Sequence, residues 1–390
     1  MAPPTRVQEN PSRECGSYQT AAPPATLQEG LRLLFAVVLL AAVACGPFGG
    51  APQRGQGAGA AVAAPSPSPT PGAPTGPAAV LVQLASPSTY TVSLVFPDGR
   101  VTGPATARLR TVAPPLVGAA PPAMPVFSAS DSRVYYLDGD SEVRFLERDG
   151  THGTATRVPG GPRAQSGFAV SPDDRRIAVA AIDYTTTPAA TRLYVEDLDG
   201  TNHVDLPQPA GTYAWPVGWH AGELVEAVGS PPTQSVSGNP YGTFGGYALV
   251  DAATGGRLGG LACDPAGPLT PAGTACMVGG SPLVVQDFAG STRSLGNAPT
   301  SVVSAAEAPD GAHVAFCCVG GQLQLWDVAA GTVSTLGPAD SPAYGWIDGR
   351  HLLVSDSPAQ HPRVVDVATL ASLPVAAALG RVVGRVPGGL

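Results

Sequence analysis

Residues 302–337 read VVSAAEAPDGAHVAFCCVGGQLQLWDVAAGTVSTLG and divide into four β-rich stretches. These are 302–307, 313–319, 322–328 and 332–336, with Pro309-Asp310-Gly311, Gly320-Gly321 and Ala330-Gly331 between them. Pro, Asp and Gly at those places supply the fixed or positive φ that tight turns need. The third stretch closes on a phrase, an apolar run, an acid and then a turn, that recurs along the chain. Its instances are TVSLVFPDG (91–99), VRFLERDG (143–150), LYVEDLDG (193–200), YALVDAATG (247–255), LVVQDFAG (283–290), LQLWDVAAG (323–331) and RVVDVATL (363–370). Spacings of about 35 to 55 residues bracket the period of propeller blades rather than that of helical repeats. The expected fold is all-β, a β-propeller of four-stranded antiparallel blades. Dividing 78–390 by a blade of roughly 40–45 residues gives about seven blades, with six or eight as the neighbouring solutions.

FAVSPDDRRIAVAA (168–181) followed by TRLYVEDLDGTNHVDL (191–206) repeats the scheme, and PAGTACMVGGSPLVVQDFAGSTRSLG (271–296) repeats it in shortened form. A Ser-Pro-Asp turn after the first strand and a third strand ending in Asp resemble the WD40-like, TolB-type propeller repeat of bacterial envelope proteins. The resemblance covers most of 124–370 and implies an envelope role, including the possibility of a structural partner in a larger assembly. The first blade is the faintest, with strands expected at 80–85, 89–96 and 106–112. Arg381–Val386 is a β-rich segment able to complete it by pairing the two chain ends, which removes an aggregation-prone edge.

Upstream of the repeats, LLFAVVLLAAVA (33–44) is an apolar run that ends at Cys45. It suits the core of a signal peptide and is too short for the roughly 20 residues of a membrane span. Small residues directly before a cysteine resemble the lipobox of bacterial lipoproteins, which implies cleavage before Cys45 and lipidation of its thiol. Residues 1–44 are therefore read as leader and lipoprotein signal peptide. Residues 45–77, rich in Pro, Gly, Ala and Ser, are read as a lipidated, disordered tether, and 78–390 as the propeller. The expected address is the extracytoplasmic side of the bacterial cell envelope, with the protein attached through its lipid.

The chain has no lysine, and 21 arginines against 29 acids leave a formal charge of −8. Nucleic acid is not an expected partner, because binding it requires a concentrated basic face. No G-x-S-x-G elbow, H-E-x-x-H, P-loop or dinucleotide fingerprint is present. Asp98, Asp149, Asp199, Asp310 and Asp348 each precede Gly, so turn geometry accounts for them, and no calcium-loop spacing occurs. Neither a catalytic set, a metal nor a cofactor is called for, and the chain is read as a monomer. The function expected is a binding or protein-interaction module for an envelope protein, peptide or glycan. The alternative is a propeller lyase or hydrolase whose groups converge in the central channel from distant strands and leave no local motif.

Propeller topology turns sequence position into a face. Connections between blades (D–A) share one face with the B–C connections, and A–B and C–D turns share the other. The connections at 183–190, 207–219 and 229–246 are expanded and bring Tyr184, Tyr213, Trp215, His220, Tyr241 and Phe244 forward as a candidate binding face. Clustered aromatics above a rigid scaffold give contact area at low entropic cost. The bland alternative for Trp215 and for Trp219 is packing between blades, and for His220 a satisfied turn histidine. Among the cysteines, Cys263, Cys276, Cys317 and Cys318 lie in an oxidising compartment if the address is right, which favours disulfides. Cys263 with Cys276 is the first pairing, leaving a vicinal Cys317–Cys318 bridge, and a Cys276–Cys317 link between blades is the rival.

Overall fold

The computed structural model describes residues 75–390 apart from 113–123, 187–188, 209–212, 230–245, 262–263, 266, 278–282, 297–301, 303, 320, 339–343, 356–361 and 378–379. Its strands form seven four-stranded antiparallel sheets, the blades of a β-propeller. Blade 1 holds β1 (Ala78–Ser86), β2 (Thr89–Val95) and β3 (Val101–Arg108). Blade 2 is β4 (Phe127–Ala129), β5 (Arg133–Asp138), β6 (Glu142–Glu147) and β7 (His152–Arg157). Blade 3 is β8 (Ala164–Val170), β9 (Arg176–Asp183), β10 (Ala190–Asp197) and β11 (Val204–Leu206). Blade 4 is β12 (Tyr213–His220), β13 (Glu223–Gly229), β14 (Tyr247–Val250) and β15 (Arg257–Leu261). Blade 5 is β16 (Asp264–Pro265), β17 (Thr274–Met277), β18 (Leu283–Gln286) and β19 (Thr292–Ser294). Blade 6 is β20 (Ser304–Glu307), β21 (His313–Val319), β22 (Gln322–Asp327) and β23 (Thr332–Pro338). Blade 7 is β24 (Tyr344–Trp346), β25 (His351–Val354), β26 (Arg363–Asp366) and β27 (Ser372–Pro374).

The last strand, β28 (Arg381–Val386), pairs with β1, Ala78 opposite Val386 and Val82 opposite Arg381, and so becomes the first strand of blade 1. The two ends of the ring thus share one sheet, and no blade edge is left open at the junction. The third strand of blade 1 is Val101–Arg108 rather than the expected 106–112. Pro97-Asp98-Gly99 accounts for the shift: the Gly99 amide donates to Phe96 at 2.9 Å and Gly99 takes a φ of +79°, so the chain reverses at once and pairs.

The same turn chemistry recurs across the ring. Asp98, Asp149, Asp199, Asp310 and Asp348 each accept a hydrogen bond at Oδ1 from the amide two residues on, at 2.8 to 3.1 Å. A short carboxylate that satisfies its own backbone fixes the turn locally. Because this chemistry is local, the sequence displays it.

The core lies in the seams between blades rather than at one centre. Val80, Tyr90, Val92, Val134 and Leu146 join blades 1 and 2. Tyr135, Leu137, Phe168, Ile177 and Val179 join blades 2 and 3. Further clusters fill the seams of blades 3 and 4, 5 and 6, 6 and 7, and 7 and 1. Period-2 alternation makes this possible, since each strand sends side chains to both faces of its blade and both faces are covered. Fourth strands such as β19 and β27 are exposed along their length, which places them at the rim and the first strands at the channel.

Candidate binding face

The two ends of the channel differ in how they are built. On the face of the A–B and C–D turns, short turns close on themselves through the Asp–amide bonds above. An open cleft of about 660 Å³ in blade 3 lies there, lined by Asp173, Arg175, Arg176, Asp197, Leu198 and Asp199. Its charges are already engaged: Arg176 lies over the Trp219 ring at 4.7 Å, and Asp197 accepts from Asn202 at 2.6 Å. The opposite face holds the strand ends joined by the longest stretches of sequence, β3 to β4 (109–126) and β13 to β14 (230–246).

On that loop face, side chains from three blades meet. The Thr111 amide donates to Asp140 Oδ1 at 2.7 Å, and its hydroxyl donates to Oδ2 at 3.0 Å. Gln165, at the mouth end of β8, donates from Nε2 to the Thr111 carbonyl at 2.9 Å. Beside them, burial pulls the Arg110 guanidinium below its ordinary range, with Tyr184, Asp140 and Tyr90 pulling the other way. Among the described residues, Arg110 Nη1 is buried with no hydrogen-bond partner. A guanidinium in that state is a donor suited to a carboxylate or another polar acceptor.

Tyr184 belongs to this cluster: its amide donates to the Arg163 carbonyl at 2.9 Å, and its ring packs on the seam of blades 3 and 4. Tyr213 is the first residue of β12, at the same end of the ring. Trp215 is 1% exposed in the seam of blades 3 and 4, and Trp219 is 2% exposed there. His220 is the last residue of β12, so a full strand separates it from Tyr213 and it opens on the turn face. There its ring stacks on Phe288 with centroids 3.8 Å apart, and Nδ1 bonds to the Leu390 carbonyl at 2.8 Å. The structure therefore brings Tyr184 and the Tyr213 end of β12 to one face and does not bring His220 to them. Tyr241 and Phe244 lie outside the described residues.

Cys276 on β17 and Cys317 on β21 are fully buried, and neither is free. Ala275 packs into the seam of blades 5 and 6, so alternation turns its neighbour Cys276 away from blade 6. Cys317 packs into the seam of blades 6 and 7. The two side chains thus point to opposite sides of their blades. Cys263 and the Cys318 side chain lie outside the described residues.

Two features had no sequence signal that singled them out. Arg110 sits in a connection with no motif around it, and only the closed ring sets it beside Tyr184. The segment Pro387–Leu390 reads as a plain Gly-rich stretch, yet it makes specific contacts with three blades. No protein-family model matches the chain, and no curated protein matches it. Among solved structures it is similar to an oligogalacturonate lyase in complex with manganese, at 12% identity and a TM-score of 0.46, covering 70% of this chain and 81% of that one. It is also similar to a chain of a mitotic checkpoint complex, at 13% identity and a TM-score of 0.41, covering 68% and 77%.

Proposed function

We propose that the chain is an extracytoplasmic β-propeller that works as a binding or protein-interaction module, held at the membrane by a lipid on Cys45. Residues 45–77 act as the tether, and the propeller presents its loop face to an envelope protein, peptide or glycan. The observation that carries this reading is the inequality of the two faces. Short turns that satisfy themselves occupy one, whereas the strand ends that the long connections join and the unpartnered Arg110 nitrogen occupy the other. Function on propellers resides in such connections, because the ring supplies rigidity and the loops supply chemistry.

Affinity capture from solubilised cell envelope, with the full chain beside a variant shortened within 230–246 and an Arg110→Ala variant, tests the reading. A partner retained by the full chain and lost by either variant supports it. Equal capture by all three defeats it and directs attention to an enzyme site in the channel. Attachment is tested separately by incorporation of labelled fatty acid, which Cys45→Ser should abolish. In the oxidising compartment this address implies, Cys263 bridges Cys276 and Cys317 bridges Cys318. Support comes from the buried, engaged state of Cys276 and Cys317 and from the irregular register between Phe316 and Val319 on β21.

A further inference from the structure

β28 delivers the chain to the turn face at Val386, and the next four residues do not stop at blade 1. The Gly388 amide donates to the Ser130 carbonyl of blade 2 at 2.8 Å. Gly389 passes Pro172, in the A–B turn of blade 3. The Leu390 amide donates to the Trp219 carbonyl of blade 4 at 2.8 Å, and His220 Nδ1 donates to the Leu390 carbonyl at the same distance. Arg385, at the root of the segment, donates from Nη1 to the Pro387 carbonyl and from Nη2 to the Gly389 carbonyl at 2.9 Å. Ser130, Pro172 and Trp219 all stand at or just past the turn-face ends of first strands, so the segment runs across the ends of the strands that line the channel.

The fit is shaped as well as bonded. A β-carbon on Gly218 would stand 2.4 Å from Leu390 Cδ1, so the absence of a side chain there makes the socket that Leu390 fills. A β-carbon on Gly388 would stand 2.3 Å from the Ala129 carbonyl oxygen. Leu390 packs on the cluster of Trp215, Trp219 and Leu224, and Phe288 of blade 5 joins the same cluster. A segment whose amides and carbonyls are paired alternately and whose leucine side chain fills a matched socket is held as a bound peptide is held.

We infer that Pro387–Leu390 is a peptide ligand carried in cis: it straps blade 1 to blade 4 across the turn-face mouth of the channel and occupies a socket built from Gly218, Trp219, His220 and Phe288. The socket takes an extended Gly-Gly-Leu segment. This site lies at the end of the ring opposite the proposed binding face, and its test does not depend on that face.

Hydrogen exchange of the full chain and of Leu390→Asp, followed by mass spectrometry of the peptide 381–390, reads the strap directly. In the unaltered chain the amides of Gly388 and Leu390 should be protected. In Leu390→Asp they should exchange at least about tenfold faster, while the β28 amides stay protected. A labelled Val-Pro-Gly-Gly-Leu peptide should then bind Leu390→Asp and not the unaltered chain, because a seated cis segment competes for the socket. Gly218→Leu fills the socket without touching the segment, and it should release the strap and also refuse the peptide. Free exchange of the segment in the unaltered chain, or no difference in peptide binding between the two chains, would overturn the inference.

Discussion

The indole of Trp219, on the first strand of blade 4, donates to the carbonyl of Ala169 on the first strand of blade 3 at 3.1 Å. Trp346 makes the same bond from blade 7 to Ala306 of blade 6 at 2.8 Å. Each indole lies near the turn-face end of its strand, and each ties two blades where the strand hydrogen bonds cannot, because those run within a blade.

Trp219→Phe keeps most of the buried ring area but leaves the Ala169 carbonyl without its donor. The expected loss is about 1–3 kcal/mol, the usual penalty for an orphaned buried polar group. Trp346→Phe should behave alike. Since the two bonds occupy different seams, the double variant should lose the sum to within about 0.5 kcal/mol, as read by chemical denaturation.

Glu307 closes β20 at 3% exposure, and its Oε2 has no hydrogen-bond partner. Burial first, and then the charges of Asp287 and Asp310, raise its carboxyl from the ordinary 4.5 to about 8. A carboxyl raised in the folded state is protonated in both states below about pH 4.5, where its stabilising contribution is complete. That contribution falls as pH rises and is lost once pH passes through about 8, since the folded state binds the extra proton in this window. Thermal melts of the unaltered chain between about pH 5 and about pH 9 should show this slope, and Glu307→Gln should flatten it. An unchanged slope would assign the dependence to another group, Glu226 being the next carboxyl raised by burial, to about 7.

Val386 is fully buried opposite Ala78, where the ring closes. Val386→Asp sets an unpaired charge in that seam, at an expected loss of several kcal/mol. An opened ring exposes a strand edge, so the variant should associate as well as melt early. Size-exclusion chromatography and melting together check this. A stable monomer would mean that β28 is not the closure on which the ring depends.

Peptide mapping without reductant distinguishes the cysteine pairings. A peptide joining Cys263 to Cys276 and an intact loop-free Cys317–Cys318 bridge are expected. A crosslinked peptide joining Cys276 to Cys317 would overturn that pairing.

What was legible in the sequence was whatever neighbouring residues decide between themselves. Phrases such as LQLWDVAAG mark third strands because alternation and an Asp–amide turn are written within a few residues, and β22 is Gln322–Asp327 accordingly. The number of blades follows from the period, and the closing strand from a β-rich end with no other partner. The third strand of blade 1 begins several residues before the expected 106–112, because the chain reverses at Gly99 and pairs at once.

Strands, turns, their repetition and the means of closing the ring follow from residues close together in the chain, since each rests on short-range backbone preference and side-chain period. Which end of a strand a residue occupies, and what it meets there, depends instead on how the blades assemble. Tyr213 and His220 are close in sequence yet stand at opposite ends of β12, because an extended strand carries them apart. Arg110 comes within electrostatic reach of Tyr184, and Leu390 enters the space that Gly218 leaves empty, only because the assembled blades set distant segments side by side.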